Sequence, residues 1–176
     1  QTFIYKVLQA PLMGFGQSVF FEPLYQFLST LFWFFGINGP AVTNTVFNPI
    51  HLILTNENLE AFKAGQPLPN IFTGPFGDFF GNFGGGGSTL SLVFLMVFLA
   101  KSERMKKLGR LALIPGIFGI NEMVTFGLPV VLNPIIVIPF LLTPLVNITL
   151  ATLATMWGII PYTTGASRAT APGPAA

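Results

Sequence analysis

Long apolar segments alternate with short polar ones along most of the chain. A helix needs about 20 mainly apolar residues to cross roughly 30 Å of hydrocarbon, and three segments approach that length. They cover residues 19–35, residues 81–100, which follow the polar loop and include the four glycines 84–87, and residues 143–160. The pattern predicts an all-α protein whose helices lie in a membrane.

Two further apolar segments are interrupted too often by glycine and proline to form straight helices. For residues 36–50 we expect a re-entrant or unwound segment, and for residues 111–142 a helical hairpin that enters the membrane and returns. Paired interrupted segments mark the binding site of many transporters, and residues 36–50 and 116–134 form such a pair. The polar residues 51–76 predict a short surface helix and a loop.

Charge is sparse and clustered. Only 8% of the residues are charged, against about a quarter in a soluble domain, and 52% are hydrophobic. Five of the eight basic residues fall within residues 101–110. The positive-inside rule predicts that this segment is a cytoplasmic loop, although docking of a cytoplasmic partner or an anionic lipid would also explain it. Basic residues confined to one loop do not indicate nucleic-acid binding.

Glu122 is the most informative polar residue because a carboxylate costs about 2.5–3.5 kcal/mol at the centre of a membrane helix. It could accept hydrogen bonds from the hydroxyls of a substrate such as a sugar, or act as a general base. Alternatively, it could cap the hairpin turn or pair with a basic residue. Glu22 has the same functional and structural interpretations, but its position near a possible helix end makes the functional one weaker.

Other polar and aromatic residues have both functional and structural interpretations. Asn38 lies between two glycines, where it could contact a ligand or form a turn. The same alternatives apply to four further asparagines: Asn44, Asn48, Asn121 and Asn133. We expect His51 at the surface or interface, and Trp33 and Trp157 in the interfacial aromatic belts. The glycines 84–87 lack the lysine of a phosphate-binding loop and indicate a hinge or close packing.

Cofactor and metal chemistry find little support in the sequence. The chain has no cysteine and one histidine, so it offers no thiolate site and no cluster of histidines. We therefore expect no metal and no cofactor. The chain starts at Gln1 without a signal peptide, which favours an internal fragment, and the small residues and prolines of 167–176 favour a disordered tail.

Four segments carry a resemblance to a known family. Taken in order, WFFGINGPAV, IFTGPFGDFFGNFGGGGSTLSL, LGRLALIPGIFGINEMVTFGLPVVLNPIIVIPF and LVNITLA…GIIPYTTGA resemble the C-terminal part of the lactose/cellobiose IIC permeases of the bacterial phosphotransferase system. The most specific motif, INExxxFGxPxxxNPxxxIPF, spans residues 120–140. The resemblance implies a polytopic integral membrane fold of the glucose-superfamily EIIC type, with broken helices and re-entrant hairpins, to which residues 1–166 contribute the connecting helix and transport domain.

The resemblance also implies an activity. Such permeases are usually homodimers in the bacterial cell membrane that bind a β-linked disaccharide, such as cellobiose, chitobiose or lactose. A phosphocysteine of the IIB protein, charged through IIA and the phosphohistidine carrier protein, then phosphorylates the sugar. The glutamate matched by Glu122 contacts the sugar near the hydroxyl that is phosphorylated, with Asn121 beside it. Asn38 and Gly39 match a sugar-binding motif.

One substitution in that motif changes the chemistry. Family members often have histidine at the position of Asn38, and asparagine can form hydrogen bonds but cannot carry a proton. Glu122 would then be the one base available. Two alternatives remain open: a secondary transporter or channel that moves its solute unmodified, and a truncated remnant without function.

Overall fold

The computed structural model describes residues 14–128 and 130–164, so the expected tail at 167–176 lies outside the described residues. Every regular element in the described part is helical. The helices are α1 Phe21–Phe34, α2 Gly39–Lys63, α3 Gly74–Phe76 with the π-helical turn Gly77–Gly81 directly after it, α4 Leu90–Phe98, α5 Glu103–Ile117, α6 Glu122–Gly127 and α7 Pro134–Met156.

Helix α2 contradicts the prediction of a broken segment at residues 36–50. Asn38 is its N-cap, where the side-chain oxygen accepts a hydrogen bond from the Ala41 N–H, and Pro40 lies in the first turn, which proline favours. The helix then continues through Pro49 for 25 residues. A proline inside a helix removes one backbone hydrogen bond, and burial of Phe47 and Ile50 against α1 outweighs that loss.

The predicted span at residues 81–100 is also wrong. Helix α4 has only nine residues, or about 13 Å at 1.5 Å per residue, which is too short to cross a bilayer. The glycines before it form a loop instead of a helical turn. Gly84, Gly85 and Gly87 have φ angles of 82°, 94° and 79°, which glycine adopts without steric cost.

The second half of the chain is interrupted where the prolines and glycines of residues 111–142 predicted it. Breaks at residues 118–121 and 128–133 separate α5, α6 and α7. However, α7 continues through Pro139 and Pro144, so the last long helix begins well before residue 143. The basic segment 101–110 lies mainly in α5 and is not a loop. Among the described residues, α7 is the one helix long and apolar enough to cross a membrane.

Helix α1 lies at the centre of the packing and contacts both α2 and α7. Its N-terminal half is part of the largest buried cluster, which includes Phe21, Phe47 and Ile148. At its C-terminal end, Trp33 packs with Phe140 in a second cluster. Helices α4 and α5 pack together beside this core. The C-terminal end of α1 is therefore where the first half of the chain contacts the interrupted second half.

Candidate functional site

A cavity of about 580 Å³ lies where α1, the start of α2, the π-helical turn, the glycine loop and the break before α6 come together. Polar and aromatic side chains line it together with the backbone of the glycine loop. The lining residues are Tyr25, Trp33, Asn38, Pro40, Asn44, Asp78, Phe79, Asn82, Phe83, Gly84, Gly85, Gly86, Ile117, Phe118, Gly119, Asn121 and Glu122.

Three of the four candidate site residues line this cavity. Asn38 does so from the N-cap of α2, and Asn121 and Glu122 do so from the start of α6. Gly39 does not line it. A Cβ at Gly39 would lie 1.8 Å from the Ser29 carbonyl oxygen, so this glycine allows α2 to approach the backbone of α1 closely. Gly39 therefore lies at the contact between α1 and α2, next to the cavity.

Asn121 holds the glycine loop in place. Its Nδ2 donates a hydrogen bond of 2.6 Å to the Gly86 carbonyl oxygen, and the side chain is buried. A Cβ at Gly85 would lie 2.8 Å from Cγ of the same asparagine. The loop is also held by Thr89, whose hydroxyl donates to the Gly84 carbonyl oxygen at 2.9 Å. One wall of the cavity is therefore a fixed stretch of backbone without side chains.

Glu122 makes neither an ion pair nor a side-chain hydrogen bond with any described residue, and its Oε2 is buried. Asn82 Oδ1 and Trp33 Nε1, which belong to two other lining residues, are likewise buried without a partner among the described residues. A buried polar atom without a partner costs about 1–3 kcal/mol. All three atoms belong to residues that line the cavity, and the hydroxyl groups of a ligand could supply the missing partners.

Tyr25, Asp78 and Asn82 also line the cavity and were not predicted, whereas Asn44 was among the asparagines with an open functional interpretation. Tyr25 donates a hydrogen bond of 2.9 Å from its hydroxyl to Asn44 Oδ1, and Asp78 and Asn82 follow two buried glycines of the π-helical turn. The local signal was the repeated glycine-polar pair in GDFFGN, which places two small and two polar residues at a spacing of four.

Two other residues, His51 and Trp33, lie elsewhere than predicted. His51 is buried, with its Nε2 2.8 Å from Glu22 Oε2, because the carboxylate in α1 provides a partner for it inside the protein. Its partner Glu22 lies in the first turn of α1, near the helix end as expected, and is fully buried. Trp33 is 3% exposed and lines the cavity, because it packs against Phe140 inside the protein. Trp157, by contrast, is 73% exposed.

The lining suits a small polar ligand with apolar faces. Asparagine amides both donate and accept hydrogen bonds, carboxylates accept them from hydroxyl groups, and the aromatic rings can lie against the apolar face of a sugar. Among the described residues, no group of three or more His, Asp or Glu side chains is arranged to hold a metal ion. The geometry therefore favours recognition of hydroxyl groups by side chains and backbone.

Comparison with known proteins agrees with this description. The family described as "Phosphotransferase system, EIIC" matches residues 2–144. The oligo-beta-mannoside-specific EIIC component of Bacillus subtilis is 41% identical over 92% of this chain and 37% of its own length. The lactose-specific EIICB component of Lacticaseibacillus casei is 42% identical over 68% of this chain and 21% of its own length.

A solved structure shows the same fold. The transporter ChbC, the IIC component of the N,N'-diacetylchitobiose-specific phosphotransferase system, superposes with a TM-score of 0.90 at 42% identity. The superposition covers 97% of this chain and 40% of ChbC, so the chain spans less than half the length of these relatives. The chain belongs to the membrane-embedded EIIC family of the phosphotransferase system, of the lactose/cellobiose type, as the sequence motifs indicated.

Proposed function

We propose that this chain forms the sugar-binding part of an EIIC permease that takes up a β-linked disaccharide and presents it to IIB for phosphorylation. The observation that carries the proposal is the convergence of Asn38, Asn121 and Glu122 on one cavity beside Trp33. Its volume of about 580 Å³ lies within the range of roughly 300–1,000 Å³ of small-molecule sites. The substrates named for the relatives are also β-linked sugars.

Glu122 is the base in this proposal. As a sugar hydroxyl oxygen attacks phosphorus, the S–P bond of the phosphocysteine on IIB breaks, the thiolate leaves with IIB and the hydroxyl proton passes to the Glu122 carboxylate. Asn38 contributes hydrogen bonds alone, because an amide does not take up a proton at neutral pH. The phosphoryl group reaches IIB through IIA and the phosphohistidine carrier protein.

The membrane arrangement belongs to the same proposal. We assign a polytopic fold in which α7 spans the bilayer and the interrupted segments enter it around the cavity, with residues 101–110 on the cytoplasmic side and two copies in a dimer. Large apolar side chains on the outside, such as Phe98, Ile114 and Ile135, support contact with lipid or with further membrane helices. The relative that is an EIICB component supports a IIB partner.

Phosphorylation by inverted vesicles tests the proposal. Vesicles with the full-length protein receive labelled cellobiose and phosphorylated IIB, and labelled sugar phosphate is the expected product. Glu122→Gln should abolish it while weakening sugar binding much less, because hydrogen bonds are sufficient for affinity and the reaction needs a base. The matched control is Glu60→Gln, which removes an exposed carboxylate of α2 that lies outside the cavity lining and should leave the rate unchanged.

Other outcomes have distinct meanings. Uptake of free sugar without phosphorylation would favour a secondary transporter, and no reaction with any of several β-disaccharides would contradict the proposed substrate class. Unchanged phosphorylation by Glu122→Gln would remove the assigned base.

A further inference from the structure

Beneath the cavity, a buried polar cluster in α1 and α2 has no assigned role. Glu22 is fully buried, and both of its carboxylate oxygens have partners. Oε2 lies 2.8 Å from His51 Nε2, and Oε1 accepts a hydrogen bond of 2.9 Å from Gln26 Nε2. A buried carboxylate is tolerated only when it is paired in this way. The cluster therefore has one defined geometry.

The histidine side of this cluster reaches one wall of the cavity. The His51 ring stands edge-on between Phe21, at a centroid distance of 5.0 Å, and Tyr25, at 5.4 Å. Tyr25 lines the cavity and its hydroxyl donates to Asn44, another lining residue. The orientation of the imidazole thus supports the ring of a residue that forms the site.

The carboxylate side reaches the adjacent wall. A Cβ at Gly77 would lie 2.4 Å from Glu22 Oε1, and one at Gly81 would lie 2.1 Å from Gln26 Nε2. The π-helical turn Gly77–Gly81 therefore rests its backbone directly on these two side chains. The residues that follow the two glycines, Asp78 and Asn82, line the cavity.

We propose that Glu22 and His51 are positioning residues that hold the Tyr25 wall and the Asp78–Asn82 wall of the cavity at the spacing required by the sugar. They touch no substrate themselves. Replacing either side chain leaves the other without its partner. The π-helical turn Gly77–Gly81 then loses the side-chain surface against which its backbone packs. The inference rests on the proposed sugar-binding function, although the position of the turn can be measured without a sugar.

The first test measures cellobiose affinity by titration calorimetry on the full-length protein. Glu22→Gln, His51→Gln and Gly77→Ala should each weaken binding by about tenfold, which corresponds to about 1.4 kcal/mol. Asn58→Ala is the matched control. Asn58 is also fully buried and hydrogen-bonded, but it lies outside the cavity lining, so a loss of folding stability alone should leave its affinity for cellobiose unchanged.

A double-mutant cycle separates positioning from general destabilisation. Gly77→Ala directs its methyl group at the Glu22 carboxylate, so it should weaken binding by less than about twofold when it is added to Glu22→Ala. Additive effects, or affinities of all three single variants within about twofold of the wild type, would overturn the inference. If Glu22→Gln fails to fold, Gly77→Ala and His51→Gln still decide the question.

The second test needs no substrate. This chain has no cysteine, so Asn82→Cys, in a full-length background in which any other cysteine is replaced by serine, introduces one defined thiol in the wall. Its rate of reaction with a water-soluble maleimide should change several-fold when Glu22→Gln or Gly77→Ala is added, and should not change with Asn58→Ala. If the wild type binds no β-disaccharide, the proposed function fails, while an unchanged thiol rate would overturn the positioning role on its own.

Discussion

Alanine substitutions at four glycines, two in the glycine loop and two outside it, separate the energetic cost of a left-handed backbone from that of overpacking. At Gly87 both costs apply, because φ is 79° and a Cβ would lie 2.2 Å from Cε2 of the buried Phe140 ring. The left-handed backbone costs about 1–2 kcal/mol for a residue with a side chain, and overpacking a filled core costs about 1–3 kcal/mol. Gly87→Ala should therefore lower the free energy of unfolding by about 2–5 kcal/mol.

Three other glycines supply the controls. Gly119 has a φ of 80° with nothing within 4 Å of its Cβ position, so its alanine variant measures the backbone cost alone. At Gly86 no positive φ applies, and the Cβ would lie 2.6 Å from Trp33 Nε1, which isolates the packing cost. Gly116 is helical, and its Cβ would make ordinary contact, so Gly116→Ala should stabilise by about 0.5–1 kcal/mol.

Equilibrium unfolding of the full-length protein in mixed micelles, with increasing denaturing detergent, gives the four values. The expected order of stability is Gly116→Ala highest, Gly119→Ala and Gly86→Ala lower, and Gly87→Ala lowest. A Gly87→Ala variant as stable as Gly119→Ala would refute the reasoning, because it would show that the loop does not lie against Phe140.

Two further predictions concern α2. Asn58→Leu should lower the free energy of unfolding by about 1–3 kcal/mol without changing sugar affinity. The buried Asn70 N–H loses its acceptor, and the carbonyls of Asn70 and Thr163 lose their donor. Denaturant unfolding measures the first effect, and calorimetric titration with sugar measures the second. Asn38→Ala should cost about 1 kcal/mol through the lost cap to Ala41 and also weaken sugar binding, whereas Asn38→Ser should recover the stability and not the affinity.

Local sequence signals predicted part of the fold. The breaks around α6 followed from glycines and prolines, and Gly119, with its φ of 80°, is one residue that requires the interruption. The same argument failed at Pro49, because the contacts of Phe47 and Ile50 with α1 are tertiary and leave no trace in the local pattern. The apolar composition of residues 81–100 likewise predicted too long a helix at α4, because the chain before it turns through positive φ angles at three glycines and at Ser88.

In the candidate site, too, local sequence signals drew attention to some residues and missed those whose contacts are tertiary. Polar residues in an apolar segment drew attention to Glu122 and Asn121, and both line the cavity, while the role that the resemblance to IIC permeases implies for them stays a prediction. The pairing of Glu22 with His51 could not be predicted, since 29 residues separate them and the local contact of Glu22 with Gln26 gives no sign of it. Their contact depends on α1 and α2 packing side by side, which periodicity does not specify.

The hydrogen bond from Asn121 to the Gly86 carbonyl has a consequence for the order of assembly. It joins residues 35 positions apart, and contacts of such separation form after local helices because the intervening chain must first be ordered. During synthesis, α1, α2 and the glycine loop all leave the ribosome before the residue that closes the cavity. A nascent chain that stops before residue 121 therefore has the hydrogen bond from Thr89 to the glycine loop but lacks the one from Asn121 that fixes Gly86.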